Sequence, residues 1–160
     1  MMRNKLEIKI NENWTFRKIS DQNWAKAQVP GCVHTDLLYN NLIADPFYGT
    51  NEKDLQWISD QDWEYKTILN LDNDFINKEV QLLKFYGLDT YAKVYVNGKL
   101  LIESNNMFHP WEVSVKDILQ LGKNEILVSF ESSIQKILPK MRNIDYELPA
   151  DNDQIKKTSP

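Results

Sequence analysis

Cysteine occurs once in this 160-residue chain, at Cys32, which excludes an intramolecular disulfide. Histidine is nearly as scarce: His34 stands two residues from Cys32, and His109 is far along the chain. A structural zinc needs about four ligands, so no metal site is expected. The five glycines are dispersed and form no phosphate-cradling loop. Neither a Gly-x-Ser-x-Gly elbow nor a cysteine-protease signature occurs. No apolar run approaches the ~20 residues that span a bilayer. Positive charge is short too: 19 Lys and Arg, scattered, face 23 Asp and Glu, so no basic stripe invites nucleic acid. No cofactor, membrane or nucleic-acid partner is expected.

What remains is an ordinary globular composition, 42% hydrophobic and 26% charged, with length enough for one domain and its core. Met1–Lys5 is basic, but Leu6, Ile8 and Ile10 alternate with Glu7 and Lys9 instead of forming a leader's apolar core. The compartment therefore stays open, and an exported parent (periplasmic, secreted or lysosomal) requires a leader already removed.

Period-two alternation dominates the chain, as in strands with one buried face. It predicts strands at Leu6–Ile10, Trp63–Leu71, Ala92–Val96, Trp111–Val115 and Ile126–Phe130. Glu79–Tyr86 is denser, the pattern of a strand covered on both faces. Asn97-Gly98 predicts a type I′ hairpin into Lys99–Ile102, and Leu121–Asn124 a second turn. Val33, Leu37, Leu38 and Leu42 have helical spacing after Pro30-Gly31. Ser132-Ser133 caps a second helix carrying Ile134, Ile137, Leu138 and Met141, which Pro139 would kink. Beyond Tyr146 the chain turns polar. The expectation is a domain over 1–148, folded as an antiparallel sandwich or jelly roll that lacks its last strands, with 149–160 a tail or linker.

Chemistry is sparse. Cys32 reads as a small buried thiol and His34 as a cap of the following helix. Asp60, Asp62 and Glu64 read as solvated turn acids, since spacing alone places no pair of carboxyls ~5–9 Å apart across a sugar. The five tryptophans say more. Trp14, Trp63 and Trp111 sit on alternating segments and read as core. Trp57 follows the turn-like Asn51-Glu52-Lys53-Asp54, where a ring can pack on the C–H face of a sugar while neighbouring amides and acids meet its hydroxyls.

Several segments, read in order, resemble the amino-terminal domain of β-mannosidases of glycoside hydrolase family 2. They are Val29-Pro30-Gly31-Cys32-Val33-His34-Thr35-Asp36-Leu37, Ile43–Glu52 with its Asp45-Pro46-Phe47-Tyr48-Gly49, Trp57, Asp62-Trp63-Glu64-Tyr65, Gly87–Ala92, Val96-Asn97-Gly98, Asn105–Phe108 and Gly122-Lys123-Asn124. The match runs from about Trp14 to about Leu148.

The resemblance implies a galactose-binding-type jelly roll with one or two short helices, preceding an immunoglobulin-like domain and a (β/α)8 barrel. It implies hydrolysis of terminal β-mannosides with retention by two glutamates on that barrel. No acid of this chain inherits either role, so no catalytic residue is assigned and the chain alone is expected to be inactive. A Gly-Trp-Asp-Trp-Gly-Pro-like strand with sugar contacts would follow the Leu148–Asp151 region. The loop Asp45–Trp57 is placed to wall the pocket, giving Asn51, Glu52 and Trp57 as candidate substrate contacts. The expected partners are a β-mannoside, through the full-length enzyme, and the enzyme's own further domains. The alternatives are a free-standing carbohydrate-binding module and a domain that serves only interdomain packing.

Overall fold

The computed structural model describes residues 6–143. The expected tail over 149–160 and the Leu148–Asp151 region lie outside the described residues. Among the described residues, eight strands form two antiparallel sheets: β1 (Thr15–Lys18), β2 (Ala25–Lys26), β3 (Trp63–Leu71), β4 (Leu82–Phe85), β5 (Ala92–Val96), β6 (Lys99–Ser104), β7 (Trp111–Ser114) and β8 (Gly122–Phe130). Six make one sheet in the order β2-β1-β3-β8-β5-β6, and β4 pairs with β7. Leu83 of the short sheet and Val115 just after β7 share one core with Phe16, Val94, Ile102 and Val128 of the long one. Two sheets across a common core make the sandwich.

The backbone of the long sheet is the nine-residue ladder of β3 on β8, from Trp63 opposite Phe130 to Leu71 opposite Gly122. Alternation on β8 buries Asn124, Ile126 and Val128. Asn97 and Gly98 take positive φ angles of 50° and 79°, the conformation of the expected hairpin turn. A bulge between Val94 and Tyr95 then shifts the β5–β6 register.

Helix α1 (Val33–Tyr39) starts at Cys32 and ends at Asn40. The Thr35 hydroxyl accepts from the Cys32 amide at 3.3 Å and donates to its carbonyl at 2.8 Å. Both expectations for this start are corrected: Cys32 is exposed, and His34 is an exposed residue inside the helix. The chain turns at Gly31, where a Cβ would sit 2.3 Å from the Gln28 carbonyl oxygen, leaving no room for a side chain. At the other end Asn41 takes φ 56°. The Leu42 and Asn41 amides reach back to the carbonyls of Leu37 (2.9 Å) and Leu38 (3.0 Å), closing the helix as glycine usually does. Asn41→Ala is therefore expected to cost about 1–2 kcal/mol, the penalty of a left-handed alanine, read as a lower urea midpoint at unchanged m.

Two single turns, α2 (Asn51–Asp54) and α3 (Asn73–Ile76), and α4 (Ser133–Met141) complete the described helices, with a 3-10 turn at Gln56–Ile58. Pro139 lies within α4. Ser132 caps α4 by accepting from the Gln135 amide at 3.1 Å, and its own amide donates to Asp62 at 2.7 Å.

Two expected strands change. Leu6–Ile10 forms no strand, and both Leu6 and Ile8 stay exposed; alternation buries a face only where a neighbouring strand covers it. Glu79–Tyr86 shrinks to β4, whose Leu82 and Lys84 face outward while Leu83 alone is buried. Adjacent leucines here do not mark two covered faces: Gln81 and Leu83 turn inward and Leu82 outward, so one face is covered.

Candidate functional site

The short strand β1 sends Phe16 into the core and holds Arg17 and Lys18 at the surface. Phe16 packs between Trp63 (centroids 5.9 Å apart) and Tyr65 (5.7 Å) on the neighbouring strand. The 3-10 turn before β3 buries Ile58 and leaves Trp57 39% exposed. Trp57 leans on Trp63, centroids 6.2 Å apart, and the Trp63 indole N–H fixes the turn by donating to the Ile58 carbonyl at 3.1 Å.

These elements enclose a cleft of about 170 Å³. Trp57, Trp63, Leu37 and Leu42 form its apolar side; Arg17, Lys18, Asp21 and Asn23 form its polar side. Arg17 is fully engaged: its guanidinium pairs with Glu64 at 2.7 Å, donates to the Asp21 carbonyl at 3.0 Å and lies 4.5 Å from the Trp24 ring centre. Lys66 covers the same ring at 4.1 Å. Lys18 pairs with Asp21 at 3.6 Å and stands 6.0 Å from the Trp57 ring. An aromatic wall beside mixed donors and acceptors suits a polyhydroxylated ring.

Of the three candidate contacts, Trp57 lines this cleft and Asn51 and Glu52 do not. Asn51 spends its amide on the loop, donating to the Asp45 carbonyl at 2.8 Å. Glu52 is exposed on α2, and its carbonyl accepts from the Gln56 side chain at 2.9 Å. Trp14 and Trp63 are core residues as expected, and Trp111 is partly buried with its indole N–H unpartnered. Sequence reasoning overlooked Arg17 and Trp24. The signal was present in Trp14-Thr15-Phe16-Arg17-Lys18, which alternates aromatic and polar residues across β1.

The acids expected to be solvated are mostly employed. Glu64 is buried in its ion pair, Asp62 holds the start of α4, and Asp60 accepts from Gln135 at 3.0 Å. A buried carboxylate that sequence reasoning passed over is Asp36, only 2% exposed. It accepts from the Gln28 amide at 2.8 Å and the Tyr65 hydroxyl at 2.9 Å. Burial raises its pKa, opposed by those two hydrogen bonds; burial and the nearby Asp36 carboxylate likewise raise that of Tyr65. With one backbone and one phenol partner, Asp36 joins α1 to β3. On the surface, Glu131 accepts from Lys136 and Lys93, which lower its pKa. Among the described residues no group of three His, Cys, Asp or Glu side chains is placed to hold a metal.

The model of the glycosyl hydrolase 2 galactose-binding domain-like family matches residues 14–159. The chain belongs to that family. The two-sheet sandwich is its jelly roll, and the resemblance drawn from the motifs holds. A β-mannosidase B of Thermothelomyces thermophilus is 36% identical over 138 residues, 81% of this chain and 15% of its own. A probable β-mannosidase of Caenorhabditis elegans is 34% identical over 128 residues, 80% of this chain and 14% of its own. The crystal structure of a β-D-mannosidase from Dictyoglomus thermophilum superposes with a TM-score of 0.85 at 39% identity, covering 91% of this chain and 18% of that one. This galactose-binding-like domain thus spans less than a fifth of each of these three proteins.

Proposed function

We propose that residues 1–148 are the amino-terminal domain of a retaining β-mannosidase and that 149–160 lead onward from it. The parent hydrolyses terminal β-D-mannosides. Its acid/base and nucleophile lie on a (β/α)8 barrel beyond an immunoglobulin-like domain, so the 160-residue chain by itself is inactive. This domain shapes the substrate site through the segment carrying Asn51, Glu52 and Trp57. The observation that carries the reading is the 39% identity sustained over 91% of the chain against the D. thermophilum β-D-mannosidase.

Trp57→Ala in the full-length enzyme is expected to lower kcat/KM for β-mannosides about tenfold, a loss of about 1.4 kcal/mol in transition-state stabilisation. Unchanged kcat/KM would remove Trp57 from the site. The exposed Trp57 beside Lys18, Asp21 and Asn23 favours a second reading, a carbohydrate-binding module without hydrolase activity. Titrating the 160-residue chain with mannose and β-manno-oligosaccharides by NMR separates the two. Saturable shifts at the cleft support the module; their absence supports the enzyme domain.

A further inference from the structure

The stretch from Leu37 to Asn51 contains one charged residue, Asp45, in a chain that is 26% charged. Leu37 and Ile43 anchor it to the core, while four of its large side chains point outward: Tyr39 is 73% exposed, Leu42 58%, Phe47 97% and Tyr48 78%. These rings are displayed by a braced loop. The Asp45 carboxylate accepts from the Phe47 amide at 2.9 Å, and its carbonyl accepts from both the Tyr48 amide (3.2 Å) and the Asn51 side chain (2.8 Å). Thus Asp45 is engaged locally, and the segment offers aromatic surface with its loop already ordered. Charge depletion with aromatic enrichment is the signature of an interface core. Preorganisation lowers the cost of covering it.

We propose that the segment Tyr39–Tyr48 is an interdomain docking surface, covered in the parent protein by an uncharged, apolar face of the polypeptide outside this chain. The inference rests on reading the chain as part of a longer enzyme. Two observations select that occupant. The domain accounts for only 14–18% of the three β-mannosidases compared above, so most of each lies beyond the matched region. The segment is also continuous with the cleft, because Leu42 lines it together with Trp57. Docking there places the second body at the cleft's edge, which gives the parent a means of closing that side. Asn51 then acts as a positioning residue, through its bond to the Asp45 carbonyl.

The test is the full-length protein carrying Phe47→Ser and Tyr48→Ser together. Both side chains are exposed in this domain, so its own circular dichroism and urea midpoint should not change. In the unsubstituted parent, amides 39–51 are expected to be protected from hydrogen exchange. The double substitution should speed their exchange on the order of tenfold or more and lower the parent's Tm. An unprotected segment, or a variant that changes neither reading, overturns the proposal. So does a self-associating 160-residue chain whose dimer the double substitution dissolves while parent exchange is unaffected, since the occupant is then a second copy. A parent that shows the protection yet cleaves no β-mannoside sinks the functional reading and leaves this one standing.

Discussion

Asn124→Ala is expected to lower the unfolding free energy by about 3 kcal/mol or more, because it removes four hydrogen bonds, each worth about 1. Asn124 is 0% exposed on the core face of β8. Its side-chain N–H groups donate to the carbonyls of Gln120 (2.7 Å) and Gly122 (3.0 Å). Its oxygen accepts from the Gln120 amide (2.8 Å) and the Asn97 side chain (2.9 Å). Asn97 also donates to the Ile118 carbonyl and accepts from the Glu125 amide, both at 2.9 Å. One amide therefore locks the turn before β8 and couples it to the β5–β6 hairpin. Urea unfolding should show a lower midpoint with unchanged m. A midpoint within error of the parent sequence would mean that the turn holds without its centre.

Tyr65→Phe should cost about 1.5–3 kcal/mol at pH 7, the range for a hydrogen bond to a carboxylate. The loss leaves one oxygen of the buried Asp36 carboxylate without its phenol partner. Burial already raises the Asp36 pKa above its usual 3.8. The folded state therefore binds this proton more tightly than the unfolded one. The stabilising contribution is fully present below pH 3.8 and is lost as pH rises through the raised value. Removing the phenol removes a contact that lowers the pKa, so the deficit of Tyr65→Phe should be larger at pH 7 than at pH 4. Asp36→Asn should flatten this part of the stability profile. Urea midpoints at the two pH values decide it; a deficit independent of pH would assign the loss to packing alone.

Local chemistry made much of this fold legible. Asn97-Gly98 specifies its turn from two residues, Ser132 its helix start, and Trp63–Leu71 its own pleat. The resemblance carried the domain family because its motifs sit at turns and strand starts, where the backbone restricts residue choice. Long-range pairing was hidden. Arg17 meets Glu64, and Tyr65 meets Asp36, across spans with no periodic signal. Glu64 consequently read as a solvated turn acid, and Asp36 stood out only as part of a motif. Leu6–Ile10 has a strand's alternation and no strand beside it, so the pattern overstated the structure. Asn124 illustrates the converse. It belongs to a turn-like Gly-Lys-Asn run, but period two from Ile126 and Val128 places it inward, where only a fully bonded amide is tolerated. Trp57 stood out as an exposed ring after a turn, whereas the cleft around it required β1 and α1, distant in sequence.

Whether this domain belongs to an enzyme acting on β-mannosides is decided by substrate preference. The most direct measurement is kcat/KM of the full-length protein on aryl β-D-mannoside, β-D-galactoside, β-D-glucuronide and β-D-glucosaminide under one set of conditions. The expected result is a preference for the mannoside on the order of a hundredfold or more, about 3 kcal/mol of transition-state discrimination. Equal or better turnover of any of the other three would contradict it.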